Sequence, residues 1–305
     1  MKSSRTHSFL NILTFFAMLV SLLGSAVSVI SVRAAMIITV NTNADNTTDD
    51  GLCTLREAIT AANTNTAVNG ADDCNHDGSA GTDTITFAGN YTITLTGSQL
   101  PAVDTAIVIT GNGAANTIIQ ADALPNTATY RVIEVTSAGS LTLDNLTIRN
   151  GKCNGSCPSS PNNGGGIYNN GTLTVSNSTI SNNYASNFGG GIYNYDALAV
   201  LAVTDSTISF NSAIIDGGGV NSLGTLSVTN SAITHNNANV GGGGIYSSGA
   251  LTMTDGTISH NSANNGGGLY NFPLDSSLSV TVTGSTFSDN SATVCGGGMY
   301  IRLYR

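Results

Sequence analysis

Over residues 164–305, apolar and small polar residues alternate with a period of two inside short phrases, as in Leu173-Thr174-Val175 and Leu226-Ser227-Val228. That is the periodicity of a strand with one buried face. The phrases recur. Each opens on a glycine triplet followed by an aliphatic residue, and the third glycines fall at Gly166, Gly191, Gly219, Gly244, Gly268 and Gly298, at intervals of 24 to 30 residues. A repeat of that length is one stacked supersecondary unit. No copy carries an apolar stripe at helical spacing, which excludes leucine-rich, ankyrin and tetratricopeptide arrays.

Aligned on their last apolar residue, the copies give unbroken columns. One holds Ile148, Ile180, Ile208, Ile233, Ile258 and Phe287; five residues earlier stand Leu143, Val175, Val203, Val228, Met253 and Val282; seven earlier, Leu141, Leu173, Leu201, Leu226, Leu251 and Val280. Strands that place identical positions above one another, about 4.8 Å apart, predict an all-β, single-stranded parallel β-helix, right-handed by the crossover preference of parallel strands. The glycine triplets let the chain turn with positive φ and let coils approach closely. Two polar columns flank the isoleucines: Asn183, Asn211, Asn236, Asn261 and Asn290 after them, and Asn145, Asn177, Asp205, Asn230 and Asp255 before them, with Gly284 as the exception. Stacked asparagines satisfy corners that no strand ladder reaches, and they tolerate the left-handed region. Tyr168, Tyr193, Tyr246, Tyr270 and Tyr300 form a further column, read as a stacked corner with wet hydroxyls or, alternatively, as a sugar platform.

The opening of the chain is of another kind. Lys2, Arg5 and His7 precede an apolar run from Phe9 to Leu23 and then small residues, the layout of a secretory signal peptide over residues 1–35; an uncleaved membrane anchor is the alternative. Its removal takes Lys2, Arg5 and Arg33 and leaves six cations against 18 acids, with no membrane span expected in the mature chain. The whole chain has a charged fraction of 9 % and a net charge of −9, so neutral Asn, Ser and Thr must wet the surface. Clustered cations for binding nucleic acid are missing.

Residues 36–83 are expected to form an N-terminal cap, and 84–305 the β-helix with an incomplete last coil. Thr54-x-x-Glu57 is a capping box, and Leu55, Ala58, Ile59 and Ala62 give one apolar stripe on a helix of about ten residues, suited to cover the bare first coil. Cys53 and Cys74 are the expected disulfide holding that cap; Cys153 and Cys157 have the spacing to close a small loop, and their CxxxC pair alone is weak support for zinc; Cys295 is left over. The segment Val40–Asp45 together with Gly51-Leu-Cys-Thr-Leu-Arg-Glu-Ala-Ile-Thr-Ala-Ala-Asn63 resembles the Cys-Ser-Leu-Arg-Glu-Ala domain that opens many exported bacterial β-helix proteins, with Thr54 in place of the usual Ser. The glycine-triplet copies and Phe287-Ser-Asp-Asn290 are similar to repeats of polymorphic outer-membrane proteins. The resemblance implies a pectin-lyase-like fold on a secreted or surface protein, and it carries over no catalytic residue.

Candidate chemistry is sparse. A polysaccharide lyase needs a base and cations to neutralise a uronate, yet from Cys153 to Ile301 there is no Lys or Arg, and the early coils offer Arg131, Arg149 and Lys152. Asp205 and Asp255 share a column two coils apart, about 9.6 Å, which a glycosidase pair tolerates; Asn at the same position in other copies favours a corner role. His235 and His260 stack at one position and read as solvent-facing residues ahead of a metal pair. Asp73-Cys-Asn75-His-Asp77-Gly78, with Asp83 further on, matches the start of a calcium loop but lacks its closing Glu, so calcium is the one cofactor candidate. From the third glycine to the leucine column the distance is 7 residues in three copies, 10 in the second and 12 in the fifth. These insertions bring Tyr195, Asp196, Phe272 and Asp275 to one corner, the place we expect ligand contacts. The sequence therefore points to a non-catalytic secreted or cell-surface scaffold of the adhesion type, with a polysaccharide or cell-envelope component as the expected partner. A carbohydrate-active enzyme is the alternative. The sixth copy breaks off at Arg305, within its first strand, so a longer parent protein or end-to-end self-association is expected.

Overall fold

The computed structural model describes residues 35–69, 73–273 and 278–302; the expected signal peptide lies outside these, apart from Ala35. The chain winds as a β-solenoid. Each full coil contributes four short strands, exemplified by Ile167–Asn169, Thr172–Ser176, Thr179–Ser181 and Tyr184–Ala185, and like strands stack in parallel into faces of seven, nine, eight and six strands respectively.

The register is the one the apolar columns require. Leu173 pairs with Leu141 below and Leu201 above, and Val175 with Leu143 and Val203. Ile180 pairs with Ile148 and Ile208, and the series continues through Ile233, Ile258 and Phe287. These side chains point inward and are fully buried from Leu141 through Ile258. A one-residue slip would turn each of them to water, so the pattern itself fixes the pairing.

The corners are closed by side chains. Between the nine- and eight-strand faces, Asn145, Asn177, Asp205, Asn230 and Asp255 all have φ between 46° and 56°, and Gly284 has 61°. Asn and Asp enter this left-handed region at least cost among residues with a Cβ. One corner further, Asn211 donates its backbone N–H and Nδ2 to Asn236 Oδ1, both at 3.0 Å, while its Nδ2 also reaches the Ile180 carbonyl at 2.9 Å. Asn236 does the same to Asn261 and to Ile208. This amide ladder is buried through Asn261, and each side-chain amide from Asn183 to Asn261 both donates and accepts a hydrogen bond. At the triplets, a Cβ on Gly218 would stand 2.3 Å from the Asn237 carbonyl oxygen and 2.5 Å from that of Gly243, so only glycine lets the coils close there.

The cap is integral to the solenoid. Ile37–Val40 pairs with the strand Asp83–Phe87 and is the first strand of the nine-strand face, so in-register pairing draws the cap's first strand into the sheet. Helix α1, Leu55–Thr64, carries both halves of the capping box and ends on Asn65 in the left-handed region. Its buried Leu55, Ala58, Ile59 and Ala62 pack on the three nine-strand-face strands that precede Ile133–Val135, the first strand of the seven-strand face. Arg56 locks the other side with a bidentate pair to Asp45, both contacts at 2.9 Å, and donates to the Gln99 and Ser98 carbonyls. Disulfides join Cys53 to Cys74 and Cys153 to Cys157, and Cys295 is free and exposed. No helix among the described residues is long and apolar enough to cross a membrane.

Replacing Asn236 by Ala removes the acceptor of two buried Asn211 donors, which is expected to lower stability by about 2–4 kcal/mol in urea unfolding, while the exposed Asn239→Ala stays within about 0.5 kcal/mol. Removing the Cys53–Cys74 link, which spans 21 residues, by Cys53→Ala with Cys74→Ala is expected to cost about 3 kcal/mol. Equal stability of the oxidised protein and the double variant would contradict a load on that bond.

Candidate functional site

A strand of the seven-strand face has three residues, of which the first and third point inward. Ile167 and Asn169 are fully buried, as are Ile192 and Asn194, so the middle residue faces out. Pairing places Glu134, Tyr168, Tyr193, Asn221, Tyr246, Tyr270 and Tyr300 in that middle column. The column is a stripe of rings with one polar gap.

On the early side of the gap the rings are packed together. Tyr168 and Tyr193 lie 5.8 Å apart, and Tyr195, arriving from the inserted corner loop, stands 5.7 Å from each. Phe188 stacks on Tyr193 at 5.9 Å, and the Arg131 guanidinium sits 4.8 Å over the Tyr168 ring. Only Tyr195, 43 % exposed, shows much of its ring to solvent; Tyr168 and Tyr193 are 5 % exposed. Arg131 is buried, pairs with Glu134 at 3.1 Å and donates to the Ser160 carbonyl at 2.6 Å. Burial pushes its guanidinium down to about 10, against the pull of Glu134, and it remains a cation at neutral pH. Burial likewise pushes Tyr168 and Tyr246 up to about 12, and Tyr193 further in the same direction, so these phenols keep their protons.

Beyond the gap, Tyr246, Tyr270 and Tyr300 are half-buried. Tyr246 meets Tyr270 edge-on at 5.3 Å, and Tyr270 stacks on Tyr300 at 5.2 Å. In the gap stand Asn221 and Asp216. Asp216 occupies the position before its glycine triplet, bridged in parallel between Phe188 and Gly241. Oδ1 of Asp216 and Oδ1 of Asn221 are buried with no hydrogen-bond partner among the described residues. Gly241 lies under the Tyr270 ring: a Cβ there would stand 2.1 Å from Tyr270 Cδ1 and 2.9 Å from Asp216 Oδ1, so the ring edge packs directly on the glycine. Burial raises the Asp216 carboxyl to about 6, with the Gly241 backbone opposing.

The residues singled out by sequence are distributed as follows. Of the inserted-loop residues, Tyr195 joins the stripe. Asp196 caps its own loop, accepting the Leu198 N–H at 2.9 Å, and Phe272 carries the Arg302 guanidinium at 4.9 Å, while Asp275 lies outside the described residues. The candidate calcium ligands differ in burial and in partners. Asp83 accepts Met36 N–H and the ring N–H of His76, each at 3.2 Å; His76 Nδ1 accepts from Gly78 N–H, which fixes Nε2 as the donor. Asp77 is exposed, and its bonds to Ser79 hold its carboxyl below the usual range; Asn75 is exposed and Asp73 is buried. Among the described residues, no three acidic, His or Cys side chains gather into a cation shell. Asp205 and Asp255 sit exposed at left-handed corners, Asp205 accepting from Asn230 Nδ2. His235 and His260 stack face to face at 4.7 Å and 3°, exposed at the next corner, with Phe210 on the outer side of His235 at 4.9 Å.

Sequence reading missed Asp216, Asn221 and the inward Asn169–Asn194 amide pair, joined at 2.7 Å. The signal existed: the residue before each triplet is Asn163, Phe188, Asp216, Gly241, Asn265 and Cys295, a single acid in an otherwise uncharged column, and Asn221 is the break in the tyrosines. A scan of the sequence against known protein families finds no match, and neither does a search among curated proteins.

Asp216 gives a pH prediction. Its folded pKa of about 6 exceeds the ordinary 3.8, so the folded state binds the extra proton between these values and its stability falls as pH rises through that window. Relative to wild type, Asp216→Asn is expected to gain about 1–2 kcal/mol above pH 6.5, allowing for the solvent that still reaches the group, and nothing near pH 3.5. Melting curves of both proteins across pH 3.5–8 check this; a pH-independent difference would contradict it.

Proposed function

We propose that the chain is a non-catalytic, extracellular β-solenoid of the adhesion type, which holds a polysaccharide or another cell-envelope component against its tyrosine stripe. The observation that carries this reading is the stripe itself, in which rings rise on coils of a rigid sheet and a lengthened loop at the next corner folds Tyr195 onto them. A ring row on a stiff backbone meets an extended polymer with little entropy to lose on binding. The two disulfides suit an oxidising compartment, in line with the leader-like opening and the resemblance of Val40–Asp45 and Gly51–Asn63 to exported proteins. The groups that a lyase would recruit are engaged by protein partners: Arg131 by Glu134, Arg149 by Gln120 Oε1 at 2.8 Å, and Lys152 by the Asn126 carbonyl at 2.9 Å.

One observation favours a second reading, a carbohydrate-active enzyme. A half-buried carboxyl with its pKa raised to about 6 beside aromatic rings is what a general acid needs. Incubation of the full chain with panels of neutral and acidic polysaccharides, with and without calcium, separates the two. The scaffold reading expects retention on at least one insoluble glycan or cell-envelope preparation, weakened by Tyr195→Ala, and no release of sugar ends. Turnover that disappears in Asp216→Asn would replace it by the enzyme.

A further inference from the structure

At the corner between the eight- and six-strand faces, the outward left-handed position is taken by Asn150, Asn182, Phe210, His235, His260 and Asp289. Phe210 is 57 % exposed there and holds a φ of 56°, a backbone that a bulky side chain adopts only at a cost. On the side of the later coils its ring stacks on His235 at 4.9 Å. On the side of the earlier coils it lines an open cavity of about 150 Å³, together with Pro125, Asn126, Asn182, Asn183 and Ser212.

The cavity is accessible and its walls are held in place. Pro125 and Asn126 are exposed, and Asn182 and Ser212 are half-buried. Lys152 Nζ donates to the Asn126 carbonyl and Asn150 Nδ2 to the Asp122 carbonyl, both at 2.9 Å, which ties down the loop that carries Pro125. The Asn183 amide is committed to Gly151 and Asn211. By contrast, the side-chain amides of Asn126 and Asn182 and the Ser212 hydroxyl have no hydrogen-bond partner among the described residues, and solvent reaches all three. A ligand that displaces this water must bring donors and acceptors of its own.

These walls define the ligand. The volume is on the scale of one six-membered ring. The phenyl ring and Pro125 ask for C–H surface, and two amides and a hydroxyl ask for neighbouring groups that both donate and accept. A pyranose ring with neutral hydroxyls offers both. An aromatic or proline side chain would fill the space but strip water from three polar groups without replacing it. A carboxylate would lose water with no cation among the lining residues to meet it.

We infer that Phe210, Pro125, Asn126, Asn182 and Ser212 form a binding site for one neutral hexopyranose unit of a glycan. The site lies apart from the tyrosine stripe, which runs along the seven-strand face, and it stands or falls independently of the stripe reading.

Saturation-transfer NMR tests this on the full chain and on its Tyr195→Ala variant, in which the stripe is weakened. Cellotetraose and mannotetraose serve as neutral probes, tetragalacturonate as the acidic probe and tetraproline as the ring without hydroxyls. We expect transfer to the C–H protons of a neutral tetraose in both proteins, and weaker transfer to the other two probes. Phe210→Asn places in the left-handed turn a residue that adopts it readily, so it is expected to unfold in urea no earlier than wild type. The same variant is expected to weaken neutral binding at least about fivefold, whereas Phe210→Tyr, which keeps the ring, retains it. Neutral binding unchanged in Phe210→Asn, or a preference for tetragalacturonate or tetraproline, overturns the site. So does the absence of transfer to both neutral probes; retention on an envelope preparation that falls with Tyr195→Ala and not with Phe210→Asn then leaves the stripe reading intact.

Discussion

Each coil of this protein is completed by the coil above it. A backbone N–H or C=O in a strand has no partner within its own turn, and the same holds for the Asn211 side-chain amide, whose donors reach Asn236 one coil on. Hydrogen bonding is therefore a longitudinal property, and a coil is stable only as a member of a stack. The constraint propagates inward. Because Leu173 must sit over Leu141 and under Leu201, the core is a set of columns, and any substitution is felt by two neighbours of its own kind.

Corners bear the tension in this arrangement. Strands end after two to five residues, and the chain must reverse without losing its longitudinal pairing. Three left-handed positions per coil achieve this: one taken by Asn145, Asn177, Asp205, Asn230 and Asp255, the next by Asn182, Phe210, His235, His260 and Asp289 among others, and the third by the first glycine of each triplet, from Gly164 to Gly296. Asn and Asp adopt that conformation readily, whereas for Phe210 the left-handed region costs roughly 1–2 kcal/mol. Its ring lies 4.9 Å from the His235 ring, and His235 in turn stacks on His260, so ring contact along the column offsets some of the backbone cost.

Much of this was readable without coordinates, because repetition multiplies a weak signal. A single Leu-Thr-Val phrase is ambiguous between many folds, but six of them in register leave one way to bury every apolar residue, and the same logic exposed the asparagine ladder. The capping box at Thr54 and Glu57 is a local motif whose partners lie three residues apart, so it too was visible. What stayed hidden depends on distance in space. Tyr195 was singled out because its loop is long, but its landing place on Tyr168 and Tyr193 follows from loop geometry that no column encodes. The calcium-like run shows the complementary limit: its spacing is a linear pattern, and the sequence does not say that Asp83 pairs with His76 and Met36 while Asp77 faces water.

A solenoid of this kind separates architecture from recognition by a simple rule. Residues that repeat and point inward are held by their neighbours above and below, and replacing one breaks a ladder, so only outward positions are free to answer to a ligand. Asn221 stands where a tyrosine would have met Tyr193 and Tyr246, and Asp216 stands in a column of uncharged residues; each leaves an oxygen that the stack does not use. Ordinary drift at a buried position tends toward satisfied or apolar side chains, because an idle acceptor in that setting lowers stability. The inward Asn271 of the same face also leaves an oxygen unpaired, so the stack tolerates idle acceptors both where its columns repeat and where they break, and the longitudinal ladders carry enough stability to bear them.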